Sequence, residues 1–102
     1  MLQPLDGPSK QDAISIDDIT VIEVKIDASP LDERKVITLQ PNGKIRVFFG
    51  DGSSVPNAAT VLAKGFLHYK NAVRSYEASD SQTVYMIAET GGATEVIVAE
   101  RA

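Results

Sequence analysis

The stretch from Lys35 to Gly52, KVITLQPNGKIRVFFGDG, constrains the fold more than any other part of the chain. Apolar and polar residues alternate on both sides of a Pro-Asn-Gly turn, which is typical of two strands that each bury one face. A two-residue loop would mix polar and apolar residues on each face, whereas a three-residue loop pairs apolar residues with each other. Those pairs are Leu39 with Ile45 and Ile37 with Val47. The pattern therefore predicts a three-residue hairpin, with Pro41 at its first corner and Gly43 in the left-handed conformation.

Turn signals recur about every ten residues along the rest of the chain. The segment 19–26, ITVIEVKI, predicts a strand with one apolar face. That face is formed by Ile22, Val24 and Ile26. The segment 72–78, AVRSYEA, predicts another strand. Residues 61–70, VLAKGFLHYK, suit both a helix and a strand, and we favour a loop or short helical turn limited by Gly65 before a short strand.

A second hairpin is predicted from residues 83–89, TVYMIAE, and 94–101, TEVIVAER, around a double glycine. Its register stays open. The first of these strands is apolar on both faces, so it is either central in a sandwich or covered by another subunit. With about six or seven short strands, the chain is predicted to be all-β, a single small β-sandwich or barrel of antiparallel hairpins.

Residues 1–18 differ from the predicted domain of residues 19–102 and form an extended N-terminal arm in this interpretation. Prolines and glycine interrupt its start, and polar residues continue to the first strand. One alternative is a loose terminus without a role. The other is an arm that lies along a neighbouring subunit and buries its apolar residues there. These candidate assembly contacts are Leu2, Leu5, Ile14 and Ile16.

Composition excludes several classes of function. The 102-residue chain has a net charge of −4, and its 10 Lys and Arg residues are scattered, so they form no basic stripe for nucleic acid. Because cysteine is absent, disulfides and thiolate sites are excluded. No apolar run approaches the ~20 residues that span a bilayer, and the polar, proline-containing N-terminus is unlike a signal peptide. We expect one domain with neither nucleic acid nor membrane as its partner.

The sequence contains no motif for catalysis, cofactor binding or metal binding. His68 is the one histidine, and no G-x-S-x-G elbow accompanies it. The carboxylates show no spacing that selects a catalytic pair, the loop Gly50–Ser54 lacks the ligand pattern of an EF-hand, and no glycine-rich phosphate motif occurs. We therefore expect no enzyme, no cofactor and no metal site. A small enzyme based on His68 and a carboxylate is kept as a third hypothesis.

Tyr69, Arg74 and Tyr76 form a candidate surface-binding patch. Tyrosine and arginine are enriched in binding surfaces, where they combine a flat apolar face with hydrogen-bonding groups. Such a patch suits sugar rings. A β-module that binds a carbohydrate or a host surface is therefore the alternative function.

Three quoted runs carry a resemblance to a known class of proteins. FFGDGSSVPNA, then KGFLHYKNAVRSYEASDSQTVYMIAE, then a glycine turn and the closing EVIVAERA together resemble small accessory proteins of tailed bacteriophages, over about residues 35–102. Those proteins are encoded among the head, connector and tail genes and are often compact β-sandwiches or barrels. The resemblance implies a non-enzymatic structural protein of the virion, present in many copies as a minor head, decoration or tail-associated component. Its implied partners are itself, as a homo-oligomer, and other virion proteins, with the host cytoplasm as its location during assembly.

Overall fold

A computed structural model describes residues 9–50, 54–89 and 93–102. The predicted all-β sandwich is confirmed, since the described residues form eight strands and one short helix. The strands are β1 (Ser9–Ile16), β2 (Ile22–Glu23), β3 (Val36–Pro41), β4 (Ile45–Phe49), β5 (Phe66–His68), β6 (Arg74–Glu77), β7 (Val84–Ala88) and β8 (Thr94–Arg101), and the helix is α1 (Ala58–Lys64). No helix in these ranges is long and apolar enough to cross a membrane.

The strands form two antiparallel four-stranded sheets that pack face to face. The first sheet has the order β1-β8-β3-β6 and the second has the order β2-β7-β4-β5. The pairs β1–β8, β2–β7, β3–β6 and β4–β5 are those of one long antiparallel hairpin. Rolling up that hairpin brings β8 against β3 and β7 against β4. This arrangement is a jelly roll.

The predicted hairpin between residues 35 and 52 is wrong. β3 and β4 lie in different sheets, and the chain crosses between them at residues 42–44. The Asn42 backbone N–H donates to the Glu95 carbonyl, and the Asn42 side-chain oxygen accepts the Glu95 N–H, each over 2.9 Å. These bonds extend the pairing of β3 with β8 and direct the chain away from a hairpin. Gly43 does not adopt the predicted left-handed conformation, because the crossing does not require one.

The alternation nevertheless identified the core. The inward residues of β3 and β4 are fully buried and belong to one apolar cluster that fills the space between the sheets. They are Ile37, Leu39, Ile45 and Val47. Both strands therefore bury the predicted face, but against opposite sheets and not side by side.

The predicted strand at residues 19–26 is mostly loop. Only Ile22–Glu23 pairs with β7. The Asp17 carboxylate bends the chain before β2, because it accepts the backbone N–H groups of Ile19 and Thr20 over 3.0 and 2.7 Å. The predicted apolar face is present, with Val24 buried and Ile22 and Ile26 packed against the core.

A buried ion pair holds the long loop after β2 at one end of the sandwich. Arg34 and Glu100 are fully buried, and Arg34 Nη1 donates to Glu100 Oε2 over 2.9 Å. The other guanidinium N–H groups donate over 3.0–3.1 Å to the carbonyls of Val24, Ala78, Ser79 and Gln82. Glu100 also accepts the backbone N–H groups of Ile26 and Leu31 over 3.1 Å. All five donors of the guanidinium are thus satisfied, as a buried charge requires.

The predicted hairpin of residues 83–101 is also wrong, because β7 belongs to the second sheet and β8 to the first. Its double glycine lies outside the described residues. Of the two explanations for the two apolar faces of β7, the structure shows the central strand: β7 lies between β2 and β4, and its five residues are buried. Helix α1 packs against β4 and β7 with Val61 fully buried. Tyr85 and Ile87, which point away from the core cluster, are therefore covered within the chain.

Residues 9–16, which the sequence analysis placed in the N-terminal arm, form the edge strand β1. This strand pairs with β8 along its whole length. Ile16 is buried in the chain's own core and Ile14 packs against it. Leu2 and Leu5 lie outside the described residues. The contact of an arm with a neighbouring subunit stays a prediction, and it now concerns residues 1–8.

The short helical turn before β5 is confirmed. The Asn57 side chain accepts the Thr60 N–H over 2.8 Å and so caps the N-terminus of α1. The helix ends at Gly65, whose N–H donates to the Val61 carbonyl over 2.8 Å. The short strand β5 follows directly, as predicted.

Candidate functional site

Four ring-bearing residues cluster where the edge strands β5 and β6 bring the two sheets together. They are Phe49 at the end of β4, Phe66 and His68 on β5, and Tyr76 on β6, and we call them the aromatic edge. The Phe49 ring centroid lies 6.2 Å from that of Phe66 and 5.8 Å from that of Tyr76. The Tyr76 and His68 centroids are 6.1 Å apart. The rings therefore form one continuous group across the two sheets.

The aromatic edge is buried at one end and open at the other. His68 is fully buried and Tyr76 is half-buried, whereas Phe66 is 61% exposed and Phe49 is 39% exposed. An exposed aromatic pair offers a flat apolar surface that a ring or an apolar side chain can cover. The outer end of the aromatic edge is thus suited to binding, and its inner end to stability.

His68 links the two edge strands through both ring nitrogens. Its Nε2 lies 2.6 Å from the Ala72 carbonyl oxygen and donates to it, because a carbonyl only accepts. In the neutral ring, Nδ1 then accepts the Tyr76 hydroxyl over 3.2 Å. Burial lowers the pKa of His68; the Ala72 bond opposes this effect, and the positive charge of Arg74 adds to it. His68 is therefore a neutral structural residue at pH 7.

Acidification is expected to destabilise the fold through His68. Because the pKa of His68 in the folded chain lies below the value of about 6.5 in an unfolded chain, the unfolded chain binds the additional proton between the two values. The contribution of His68 to the free energy of unfolding should therefore be constant well above about pH 6.5 and decrease as the pH falls through that value. We expect His68→Gln to flatten this profile between about pH 7.5 and 5.5, the window in which histidine titrates.

Urea unfolding of both chains over this pH series is the measurement. His68 is the chain's one histidine, so no second imidazole contributes to the difference. A wild-type profile as flat as that of His68→Gln would contradict the neutral, buried assignment.

Arg74 lies beside the aromatic edge and spans from β6 to β5. Its Nη1 donates to the Leu67 carbonyl over 3.4 Å. Burial raises the pKa of Tyr76, and the charge of Arg74 partly offsets this. The Tyr76 hydroxyl therefore stays protonated at neutral pH and serves as the donor to His68. Arg74 brings a positive group to the exposed side of an otherwise uncharged cluster.

The structure brings together two of the three residues of the predicted surface patch. Arg74 and Tyr76 lie on the same face of β6, since they are two residues apart on one strand. Tyr69 lies apart from them, with Lys44 Nζ 5.9 Å from its ring centroid. Phe49 takes the place beside Tyr76 that the sequence analysis gave to Tyr69. Ligand binding by these residues stays a prediction.

Within the described ranges, no group of three or more His, Asp or Glu side chains could hold a metal ion. Individual carboxylates serve structural contacts. Glu89 accepts Arg46 Nε over 2.6 Å, and this hydrogen bond lowers the pKa of Glu89. The Asp17 pKa is lowered by the backbone N–H groups of Thr20 and Ile19. Most of the Gly50–Ser54 loop lies outside the described residues.

No family model matches the chain. No curated protein matches it either. Among solved structures, the Tobacco streak virus coat protein dimer aligns with 89% of this chain and 85% of its own, at 11% identity and a TM-score of 0.43. A second structure of that coat protein aligns with 97% of this chain and 77% of its own, at 15% identity and a TM-score of 0.41.

A protein of Bacillus endospore appendages, which form disulfide-linked pili, aligns with 98% of this chain and 96% of its own, at 11% identity and a TM-score of 0.38. The three structures are thus two of a viral coat protein and one of a pilus protein. All three TM-scores lie below 0.5.

Proposed function

We propose that this chain is a non-enzymatic structural component of a tailed-phage virion, a minor head, decoration or tail-associated protein that acts through subunit contacts. The observation that carries the proposal is the jelly roll with a filled interior. The inward residues of both sheets form one apolar cluster, so the surfaces that remain for function are the outer faces and edges. Jelly-roll domains recur in viral capsids and in lectins.

The environment of His68 supports a structural role over a catalytic one. Both of its ring nitrogens are engaged within the chain, one with Ala72 and the other with Tyr76. The residue is also fully buried, so a substrate has no access to it. A general base needs a free nitrogen within reach of the substrate proton. The same contacts are well suited to joining two sheet edges.

The net charge supports a position outside the packaged genome, and the sequence resemblance supports a tailed-phage particle. The chain carries a net charge of −4, which disfavours attraction to DNA and suits an outer or tail location. The resemblance to accessory proteins of tailed phages, over about residues 35–102, favours that class of particle over others. Repeated contacts between copies then supply the binding that one small chain lacks.

The gene neighbourhood and the particle test this proposal together. We expect portal- or tail-sized reading frames and a Walker-type ATPase beside the gene, and the chain in many copies in purified particles by mass spectrometry. In a gene-deletion background, a chain lacking residues 1–8 retains β1 and is expected to fold but to be incorporated several-fold less than the full chain. A full-length variant with Leu2→Ser and Leu5→Ser keeps the length of the arm and removes these two apolar side chains. It therefore separates the effect of the apolar residues from the effect of the truncation.

Two results would count against these assignments. Absence of the chain from purified particles would refute the virion role. Full incorporation of the chain lacking residues 1–8 would refute the arm alone and leave the virion role standing.

The second candidate is a β-module that binds a carbohydrate or a host surface. The exposed Phe66 beside Phe49, with Arg74 nearby, favours it, because sugars bind by stacking on aromatic faces and by hydrogen bonds to charged groups. A glycan array probed with the wild-type chain and with Phe66→Ala separates the two candidates. Phe66→Ala is a better test than Tyr76→Ala, since Tyr76 also supports His68.

A further inference from the structure

We infer that the outer face of the first sheet binds the same face of a second copy of this chain, with the two β8 strands antiparallel across a two-fold axis. This inference names the surface for the self-assembly in the proposed function and rests on it in that respect. It does not require a virion, because the contact involves one kind of chain alone.

The outer face is unusual for the solvent side of an antiparallel sheet. Among the described strands of this sheet, the outward positions in the central rows carry no charged side chain. They are Gln11, Ala13, Thr38, Gln40, Ser75, Ile97 and Ala99. In a chain with 24% charged residues, such a face is depleted in the groups that normally keep a sheet surface solvated. Depletion of charge at the centre of a surface is the compositional mark of an interface.

The cost of removing water from this face is low. The hydroxyls of Thr38 and Ser75 already bond to each other across β3 and β6, 2.9 Å apart. Ala13 and Ala99 have no polar side-chain atom, and Ile97 is 40% exposed in the middle of the face. Of the polar side chains on this face, the amides of Gln11 and Gln40 would then need partners on the second copy.

The outward residues of β8 are self-complementary. In chain order they are Glu95, Ile97, Ala99 and Arg101, an acid at one end and a base at the other. A two-fold axis at the level of Val98 places Glu95 of one copy against the second copy's Arg101, and the reverse. It also places the large Ile97 against the small Ala99, as interdigitating sheets require. A parallel arrangement would instead oppose like charges.

A recess on this face suits an incoming arginine. It has a volume of about 170 Å³ and is lined by Gln40, Pro41, Asn42, Asn71, Glu95 and Ile97. The carboxylate of Glu95 and the amide oxygen of Gln40 are acceptors of the kind that a guanidinium binds. The antiparallel arrangement brings the second copy's Arg101 to this end of the sheet.

The size of the face fits a weak homodimer. Its strands have eight, eight, six and four residues, which at ~3.4 Å per residue and ~4.8 Å between strands give a face of roughly 420 Å². Two copies would then bury roughly 850 Å², an area in the range of weak, transient interfaces. Contacts of this size are weak singly and gain strength in a particle, where each copy is held by several neighbours.

A charge swap on β8 tests the geometry. Glu95 and Arg101 are six positions apart, about 20 Å along the strand and beyond the Debye length, so their effects on each other within one chain are small. Arg101→Glu and Glu95→Arg should each weaken the dimer, measured by sedimentation velocity over a concentration series, by about tenfold or more. The double variant Glu95→Arg with Arg101→Glu should restore the wild-type dissociation constant. Lys70→Glu, an exposed change on the turn after β5, is the matched control.

Each outcome decides the inference. Weakening by both single variants, restoration by the double variant and no effect of Lys70→Glu would support it. A wild-type chain that stays monomeric at concentrations up to about 1 mM, so that its dimer Kd lies above that value, would overturn it. So would a dimer that the single variants leave intact, or a double variant as weak as the singles. If the wild type is a monomer and the chain lacking residues 1–8 a dimer, the chain's own N-terminus covers the face, and the inference fails.

A second substitution protects the test against misfolding. Ala99→Lys places a charge at the centre of the face and should abolish the dimer while circular dichroism shows a folded sandwich. The failure of this inference is distinct from failure of the virion role, because dimerisation is measured on the purified chain and incorporation on particles.

Discussion

Replacing Arg34 with alanine is expected to lower the free energy of unfolding by about 3–5 kcal/mol, the usual cost of removing one partner of a buried ion pair. The change leaves Glu100 buried and charged without its partner. It also removes the donor from four backbone carbonyls, those of Val24, Ala78, Ser79 and Gln82. For a domain of this size, the melting temperature should fall by more than about 12 °C. Thermal and urea unfolding, followed by circular dichroism, are the measurements.

A double variant separates the ion pair from the backbone contacts. Arg34→Met with Glu100→Leu removes both charges, which is often neutral for a simple buried pair. Here it would still leave backbone groups at Val24 and Leu31 without partners, so we expect it to remain much less stable than the wild type. Recovery to wild-type stability would contradict the view that Arg34 organises the loops. Lys10→Ala, which removes an exposed ion pair with Asp27, is the control and should change stability far less.

Replacing Gly65 with alanine should lower the free energy of unfolding by about 1–3 kcal/mol, the typical cost of overpacking. A Cβ atom at Gly65 would lie 2.6 Å from the Val61 carbonyl oxygen and 3.1 Å from that of Val47. Both are backbone atoms, so α1 would have to move away from β4. Such a movement would disturb the helix that covers β7.

Gly43→Ala is the matched control for this prediction. A Cβ atom there would approach the Thr94 side chain, with Oγ1 at 3.1 Å, and a side chain can rotate away. Gly43 also has no left-handed backbone that alanine would strain. We expect Gly43→Ala to change the melting temperature little. Equal losses for the two variants would show that the contact of Gly65 with backbone atoms is not the cause.

The periodicity of the sequence predicted which residues are buried but not which strands pair. Ile37, Leu39, Ile45 and Val47 were assigned to the core correctly, because alternation reports only the face that a strand buries. A hairpin and a crossing between two sheets bury the same faces. The difference depends on Asn42, whose bonds to Glu95 connect residues that are far apart in the sequence. No local pattern contains that information.

The candidate site was predicted only in part for related reasons. Arg74 and Tyr76 were identified because their residue types favour binding, whereas Phe49 and Phe66 were not among the candidate residues. Phe49 is the last residue of β4, where the sheet ends and burial decreases. Alternation predicts which face a side chain lies on, but it does not predict that burial decreases at the end of a strand.

Glu100 could have been predicted from the sequence to be buried. It has the same parity on β8 as Val96 and Val98, so the alternation itself directs this carboxylate into the core. A buried carboxylate requires a cation, and the loop with Arg34 was available to supply one. The position of that loop could therefore have been inferred from Glu100.

The place of β8 in the first sheet has a consequence for how the chain acquires its structure. β8 lies between β1 and β3, yet it is made after every other strand of the sandwich. In a nascent chain in which only the first seven strands have been synthesised, β1 lacks its neighbouring strand and Arg34 lacks the carboxylate of Glu100. Pairings between such distant parts of a chain form slowly. The first sheet can therefore be completed only after β8 has been synthesised, and until then the unpaired edges of β1 and β3 can associate with other chains.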